Sequence, residues 1–405
     1  MRLWGASSVS TFGTLITRTA LPFTAILVLD ASAFQIALLT VSELVPGFVV
    51  GLAAGVWVDR VRRRPILIAT DLGRAALLTT IPLAAFLDAL TLIHLLVVAA
   101  LTSILSTCFT VAYRSYLPVL VSRGSLIEGN SKLTAAEAVA EAGAFSSGGW
   151  LVQALTAPIA ILIDAFTFLW SAFLVWRIRA TEPPLESSNT LIDLRTEIRE
   201  GLQFTLTQPV LRGLVGSNTL LNLGYSITGT VFLLYVNQEV GFDPGVLGLI
   251  FAVGGFSSLA GAALAGRVTS IFGVGLTMVA ALAGVAAGQG LILFVASATL
   301  VAVGIMVAQQ LVADSAATIY DVVAVTVRQT TTPDRLLGRV NASFNVLETG
   351  AMIIGALIGG TLGEVIGLRS TIGVAVAVKL SAAVWLARSP VRAMRVAAGE
   401  AGGDQ

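Results

Sequence analysis

The chain has one cysteine, one histidine, two lysines and, across 405 residues, only 12% charged side chains. Each shortage excludes something. Cys108 has no second thiol to pair with, and in an apolar stretch it serves as a small packing residue. His94 is the single imidazole, and there is no Cys/His cluster and no HExxH run, so no ligand set for a metal is present. A Ser/His/Asp hydrolase would need a nucleophile beside His94, and the sequence around it offers none. The phosphate-cradling GxxxxGK[ST] loop is also missing, so ATP does not drive this protein directly, and no cofactor is implied. A formal charge of +1 implies no nucleic-acid surface. Aromatic residues make up only 7%, too few for any one of them to mark a ligand.

What fills the sequence instead is hydrocarbon. Hydrophobic residues make up 56% and the mean hydropathy is +0.90, which places the chain in lipid. Apolar stretches of about twenty residues recur from end to end, each long enough to cross a bilayer core of about 30 Å. Both faces of these stretches are apolar, as in 36–58 and 92–111, whereas barrel strands alternate over about ten residues. The expected spans are 4–28, 34–58, 66–86, 91–113, 133–155, 157–177, 211–237, 244–266, 272–293, 297–325, 341–365 and 369–388. A tight turn at Thr156-Ala157-Pro158 divides the fifth from the sixth, with proline at a helix start. The first span carries Arg18 and no cleavage site, and reads as retained.

Of the 24 basic residues, all but Arg18, Arg74, Arg369 and Lys379 fall in the even-numbered connections or at the two termini. The positive-inside rule therefore puts those segments and both termini in the cytoplasm, in a multi-pass protein of the cytoplasmic (inner) membrane. One long polar connection, with Pro183-Pro184 and a charged segment at 193–200, divides the spans six and six. The expected domains are 1–177, a cytoplasmic linker 178–210, 211–388 and a tail 389–405. The charges at 193–200 fall on most faces of a short helix, which fits a cytoplasmic surface helix.

The two halves repeat. Asn130, Glu137 and Gly148-Gly149 recur 211 residues later as Asn341, Glu348 and Gly359-Gly360. The run from Gly51 through Gly55, Asp59, Arg60, Arg63 and Arg64 to Pro65 resembles the signature loop of the major facilitator superfamily. Further runs at 71–75, 163–172 and 333–341 are similar to the drug:H+ antiporter branch that holds macrolide-efflux proteins and the enterobactin exporter. The resemblance implies twelve helices in two pseudo-symmetric six-helix halves. It also implies a monomeric secondary transporter that exports a small amphipathic molecule in exchange for protons by alternating access. Import, uniport, or a non-transporting sensor or lipid-moving protein of the same fold remain open. In that family the loop acts as a gate, so Gly51, Gly55, Asp59, Arg60, Arg63 and Arg64 are expected there, with Asp59 latching to a helix end of the other half. Thr14 stands where the branch often has an aspartate, which removes that position as a carried-over coupling site.

A charge at the centre of a bilayer costs at least about 2.5 kcal/mol and so tends to face a cavity or the bundle interior. Glu43, Glu137, Glu141, Asp164, Asp314, Asp321 and Glu348 are the expected proton-coupling acids. Glu137 and Glu141 share a helix face, as do Asp314 and Asp321, and paired carboxylates suit proton loading and release. Glu137 and Glu348 equally fit a structural role, as pseudo-symmetric ties to loop arginines. Arg18, Asn218, Asn222, Tyr225 and Gln309 are the expected cavity residues.

Overall fold

The computed structural model describes residues 2–58, 61–120, 147–178 and 194–395. All the long elements among them are helices. They are α1 (Arg2–Leu29), α2 (Ala33–Val58), α3 (Arg63–Phe86), α4 (Leu92–Leu120), α5 (147–155), α6 (Ala157–Trp176), α7 (Leu194–Thr207), α8 (Pro209–Leu234), α9 (Pro244–Phe272), α10 (Val274–Gly290), α11 (Leu300–Thr331), α12 (Asp334–Val365) and α13 (Leu368–Ala387). Eleven of them are long and apolar enough to cross a membrane. The expected span at 133–155 lies mostly outside the described residues, where only its end, α5, is seen.

The chain divides into two compact units, Met1–Thr190 with Asp243–Ala252, and Leu191–Phe242 with Val253–Gln405. In the first, α1 and α3 pack on α6, and α2 and α3 on α4. The start of α9 clusters with this unit, where the Gly245 N–H donates to Gln153 Oε1 over 2.8 Å. In the second, α8 packs on α12 and α13, and α10 on α11 and α13. The core of the second unit gathers Leu214, Met278, Leu282, Tyr320 and Phe344.

In lipid, helices associate through close van der Waals contact more than through expulsion of water, so small residues sit where backbones meet. A Cβ at Gly359 would lie 2.8 Å from the Ile227 carbonyl oxygen and 3.2 Å from Thr230 Cβ. The other unit repeats the contact: Gly148 of α5 faces Ile16 and Thr19 of α1. Ile16 and Ile227 are again 211 residues apart, as are Thr19 and Thr230, so the repeat reaches the partners of the glycines as well.

It reaches the backbone too. Thr156, the residue before α6, has φ +80°, and Gly367, 211 residues later and just before α13, has φ +86°. Asp30 and Gly241 form a second such pair, at φ +50° and +85°. Glycine takes this left-handed geometry freely, whereas a β-branched threonine is strained there by about 1–3 kcal/mol. Thr156→Gly is therefore expected to raise stability by about 1 kcal/mol, once the extra freedom of glycine in the unfolded chain is offset. A thermal melt of the detergent-solubilised protein checks it, and a lower melting point would show that the turn carries no strain.

The charged segment of the linker opens a helix that runs on to Thr207, with Arg199, Gln203 and Leu206 exposed and one face packed on α12. Gly201 lets the Arg339 backbone approach, Thr205 is fully buried, and Arg339 Nη1 donates to Glu200 Oε2 over 2.5 Å. Its charges fit a surface helix, but one glycine and the apolar stripe through Phe204 give it a face to pack.

Candidate functional site

Residues of unit 1 line an open cavity of about 450 Å³. α1 contributes Thr14, Thr17 and Arg18; α2 contributes Glu43 and Leu44; α4 contributes a column of hydroxyls at Thr102, Ser103, Ser106, Thr107 and Thr110. The column follows from helical spacing, since these positions recur at intervals of one and three to four. Arg18 and Glu43 act on one another electrostatically across this space. Neither makes a hydrogen bond or an ion pair to a described side chain. The Ser103 hydroxyl donates to the backbone carbonyl of Glu43 over 2.5 Å, fixing α2 to α4 at that level.

Behind the cavity wall lies a dense polar cluster. Asp71 and Arg74, three apart on α3, form a buried ion pair. The Arg74 guanidinium sits between two rings, 4.4 Å from the centroid of Phe109 and 4.0 Å from that of Phe168. Such desolvated cation–π contacts are each worth about 2 kcal/mol. Asp164 of α6 is within electrostatic reach of Arg74 and accepts hydrogen bonds from the hydroxyls of Thr17 at 2.6 Å and Thr167 at 3.0 Å. One guanidinium thus faces two carboxyl groups.

Asp164 can reach Thr17 only because residue 13 is glycine: a Cβ there would collide with both Asp164 Oδ1 and Thr167 Oγ1. Unit 2 holds the same seat with the opposite charge. Gly224 is 211 residues after Gly13, and Thr228 is 211 after Thr17. A Cβ at Gly224 would lie 2.6 Å from Lys379 Cγ and 3.1 Å from the Ala375 carbonyl, and Ala375 is 211 after Asp164. The charge comes one turn later, where Lys379 Nζ donates to Thr228 Oγ1 over 2.8 Å and to Gln289 Oε1 over 3.1 Å, 4.7 Å from the centroid of the Tyr225 ring. Lys379 is fully buried and makes no ion pair among the described residues. Valine at Gly13 or Gly224 is expected to cost about 1–3 kcal/mol by overpacking, read as a lower melting point; an unchanged melt at both would mean that the glycines are not needed for the approach.

The remaining expected residues fall into three groups. Glu348 accepts from Asn218 Nδ2 at 2.7 Å, the Tyr320 hydroxyl donates to Asn218 Oδ1 at 2.5 Å, and Ser217 lies 2.8 Å from Tyr320, so α8, α11 and α12 meet in one chain of hydrogen bonds. Glu348 acts electrostatically on Asp321, and both Asp314 and Asp321 act on Tyr225. Asn222 donates to the Asn218 carbonyl at 3.0 Å, and Gln309 is buried. In the signature run, Gly51 and Gly55 lie on α2 and Arg63 opens α3. Arg64 Nε donates to the Val175 carbonyl at 3.3 Å and Nη2 to that of Trp176, holding the last carbonyls of α6 within the same unit. Asp59, Arg60, Glu137 and Glu141 lie outside the described residues. Sequence reasoning missed Tyr320 and the Asp71–Arg74 pair as site groups, and marked Lys379 as a charge at membrane depth without giving it a role. For Lys379 the available signal was its place in an apolar span of a chain with only two lysines.

A family model described as transmembrane secretion effector matches residues 1–402. The chain is 26% identical over 389 residues to the uncharacterized MFS-type transporter YfiS of Bacillus subtilis (strain 168), covering 91% of this chain and 87% of that protein. It is 28% identical over 327 residues to the uncharacterized MFS-type transporter y4rN of Sinorhizobium fredii (strain NBRC 101917 / NGR234), covering 80% and 78%. Among solved structures, a bacterial homologue of the iron transporter ferroportin in an inward-facing state aligns with TM-score 0.75 at 17% identity, over 95% of this chain and 98% of that one. The nucleoside transporter NupG aligns with TM-score 0.73 at 12% identity over the same shares.

Proposed function

The chain belongs to the transmembrane secretion effector family of major facilitator superfamily transporters, and from that premise we propose that it exports a small amphipathic molecule in exchange for protons. It is a multi-pass membrane transporter with the major facilitator fold, and its relatives are transporters, not enzymes. The observation that carries the finer reading is Glu43, a carboxyl group at membrane depth that faces a cavity and has no hydrogen-bonding partner among the described side chains. A carboxylate left open in this way can hold a proton or a cationic group of the solute, but not both. Exclusion of one by the other couples their movements in opposite directions.

The cavity walls suit an amphipathic solute, since Leu21, Leu44, Leu78 and Val98 line it together with the hydroxyls of α1 and α4. Outward direction is supported by the family description and by the resemblance of the sequence to exporters. Asp314, Asp321 and Glu348 are further proton-carrying groups in this reading, and the gating role of Asp59 and Arg60 is carried by the resemblance of their loop.

Proteoliposomes with an internal pH indicator test the reading. Addition of substrate on one side should move protons the other way, and Glu43→Gln should abolish that proton movement while the protein still inserts and elutes as a monomer. Proton movement undiminished in Glu43→Gln would remove Glu43 from the coupling. Protons and solute moving in the same direction would turn the assignment from exchange to import.

A further inference from the structure

Arg18 and Glu43 are opposite charges that share a cavity without touching. Within one protein, a cation and an anion at membrane depth ordinarily close on each other, because each desolvated charge is costly alone. Here Arg18 on α1 and Glu43 on α2 both line the 450 Å³ space and act on each other electrostatically, yet no hydrogen bond or ion pair joins them. Hydroxyls of the α4 column stand in the same wall, and Thr102 Oγ1 is buried there without a hydrogen-bond partner. No aromatic ring is found among the described lining residues, so nothing offers the stacking face that a planar aromatic cation would use.

Resting on the transport reading, we propose that the solute is an aliphatic zwitterion. Its anionic group is held by the Arg18 guanidinium and its cationic group by the Glu43 carboxylate. Its hydroxyl or carbonyl groups meet the α4 column, and its hydrocarbon lies against Leu44 and Leu78. The bound solute completes the ion pair that the protein leaves open, so a molecule with only one of the two charges leaves the other protein charge uncompensated.

Purified full-length protein in lipid nanodiscs is titrated calorimetrically with 8-aminooctanoic acid, octylamine, octanoic acid and ethidium. The zwitterion should bind at least about tenfold more tightly than the other three, since each lost charge-assisted contact costs that order of affinity. Arg18→Gln should bring the zwitterion down to the level of octylamine, and Glu43→Gln to the level of octanoic acid. Ethidium or octylamine binding as tightly as the zwitterion would overturn the assignment, as would a zwitterion preference kept by both variants. Failure of the export reading looks different: the zwitterion would bind in the stated order, yet drive no flux in proteoliposomes.

Discussion

Replacing Arg74 by methionine is expected to lower the stability of the folded protein by about 3–5 kcal/mol, because it strands a buried charge. Arg74 is the only cation within reach of both Asp71 and Asp164 among the described residues, and Asp71 has no exposed surface. Methionine fills much of the space between the Phe109 and Phe168 rings, so packing loss is small and the effect isolates the charge. Lysine at the same place keeps the charge but loses the flat guanidinium that stacks on two rings, and should fall between the two. The decisive comparison is Arg74→Met with Asp71→Asn, which removes the stranded anion and should recover most of the loss. Thermal melts of all four proteins in one detergent check this. A single variant as stable as the parent, or a double variant no better than the single, would show that the pair does not hold α3 in place.

Lys379→Met is expected to go the other way. Among the described residues, the Lys379 amine is partnered by Thr228, Gln289 and the Tyr225 ring, all neutral. Bringing an ammonium out of water costs several kcal/mol, and neutral partners offset only part of this. Thr228 keeps its hydrogen bond to the Gly224 carbonyl when the amine is removed, so little is left unsatisfied. Methionine should therefore raise stability by about 1–4 kcal/mol, while transport falls because the positive charge over the Tyr225 ring is gone. A melt lowered as far as that of Arg74→Met would mean that Lys379 is a structural tie like any other. A raised melt with full transport would mean that the charge has no task in the cycle.

The spans were legible in the sequence because hydropathy integrates over twenty residues, and the turn at Thr156 announced itself through Pro158; their expected cytoplasmic ends were not, since α4, α9 and α11 run on to Leu120, Phe272 and Thr331 and α12 starts at Asp334. The repeat was legible where residues recurred as a spaced set, as at Asn341, Glu348 and Gly359-Gly360. Its extension to Ile16 and Ile227, to Gly13 and Gly224, and to the left-handed turns at Asp30 and Gly241 was hidden, since these are common residue types whose meaning lies in what they touch. The Asp71–Arg74 spacing could be seen, but its two aromatic walls come from α4 and α6, and no local pattern announces a partner so far along the chain. Arg18 and Glu43 were identified singly. That they share one space, and do not close on each other, depends on how α1 and α2 lean, which one-dimensional patterning does not contain.

Between the two halves of the sequence, the glycine and the threonine of the buried seat are kept while its occupant changes from Asp164 to Lys379. The shape is common to both copies and the charge is not, so the halves are no longer interchangeable. A chain assembled from two first halves would keep both seats, fill each with an acid facing an arginine, and have no buried ammonium. If the halves arose by duplication of one six-helix ancestor, the seat is the shared part, and two positions diverged around it: Asp164 stands opposite Ala375 in the repeat, and Phe168 opposite Lys379.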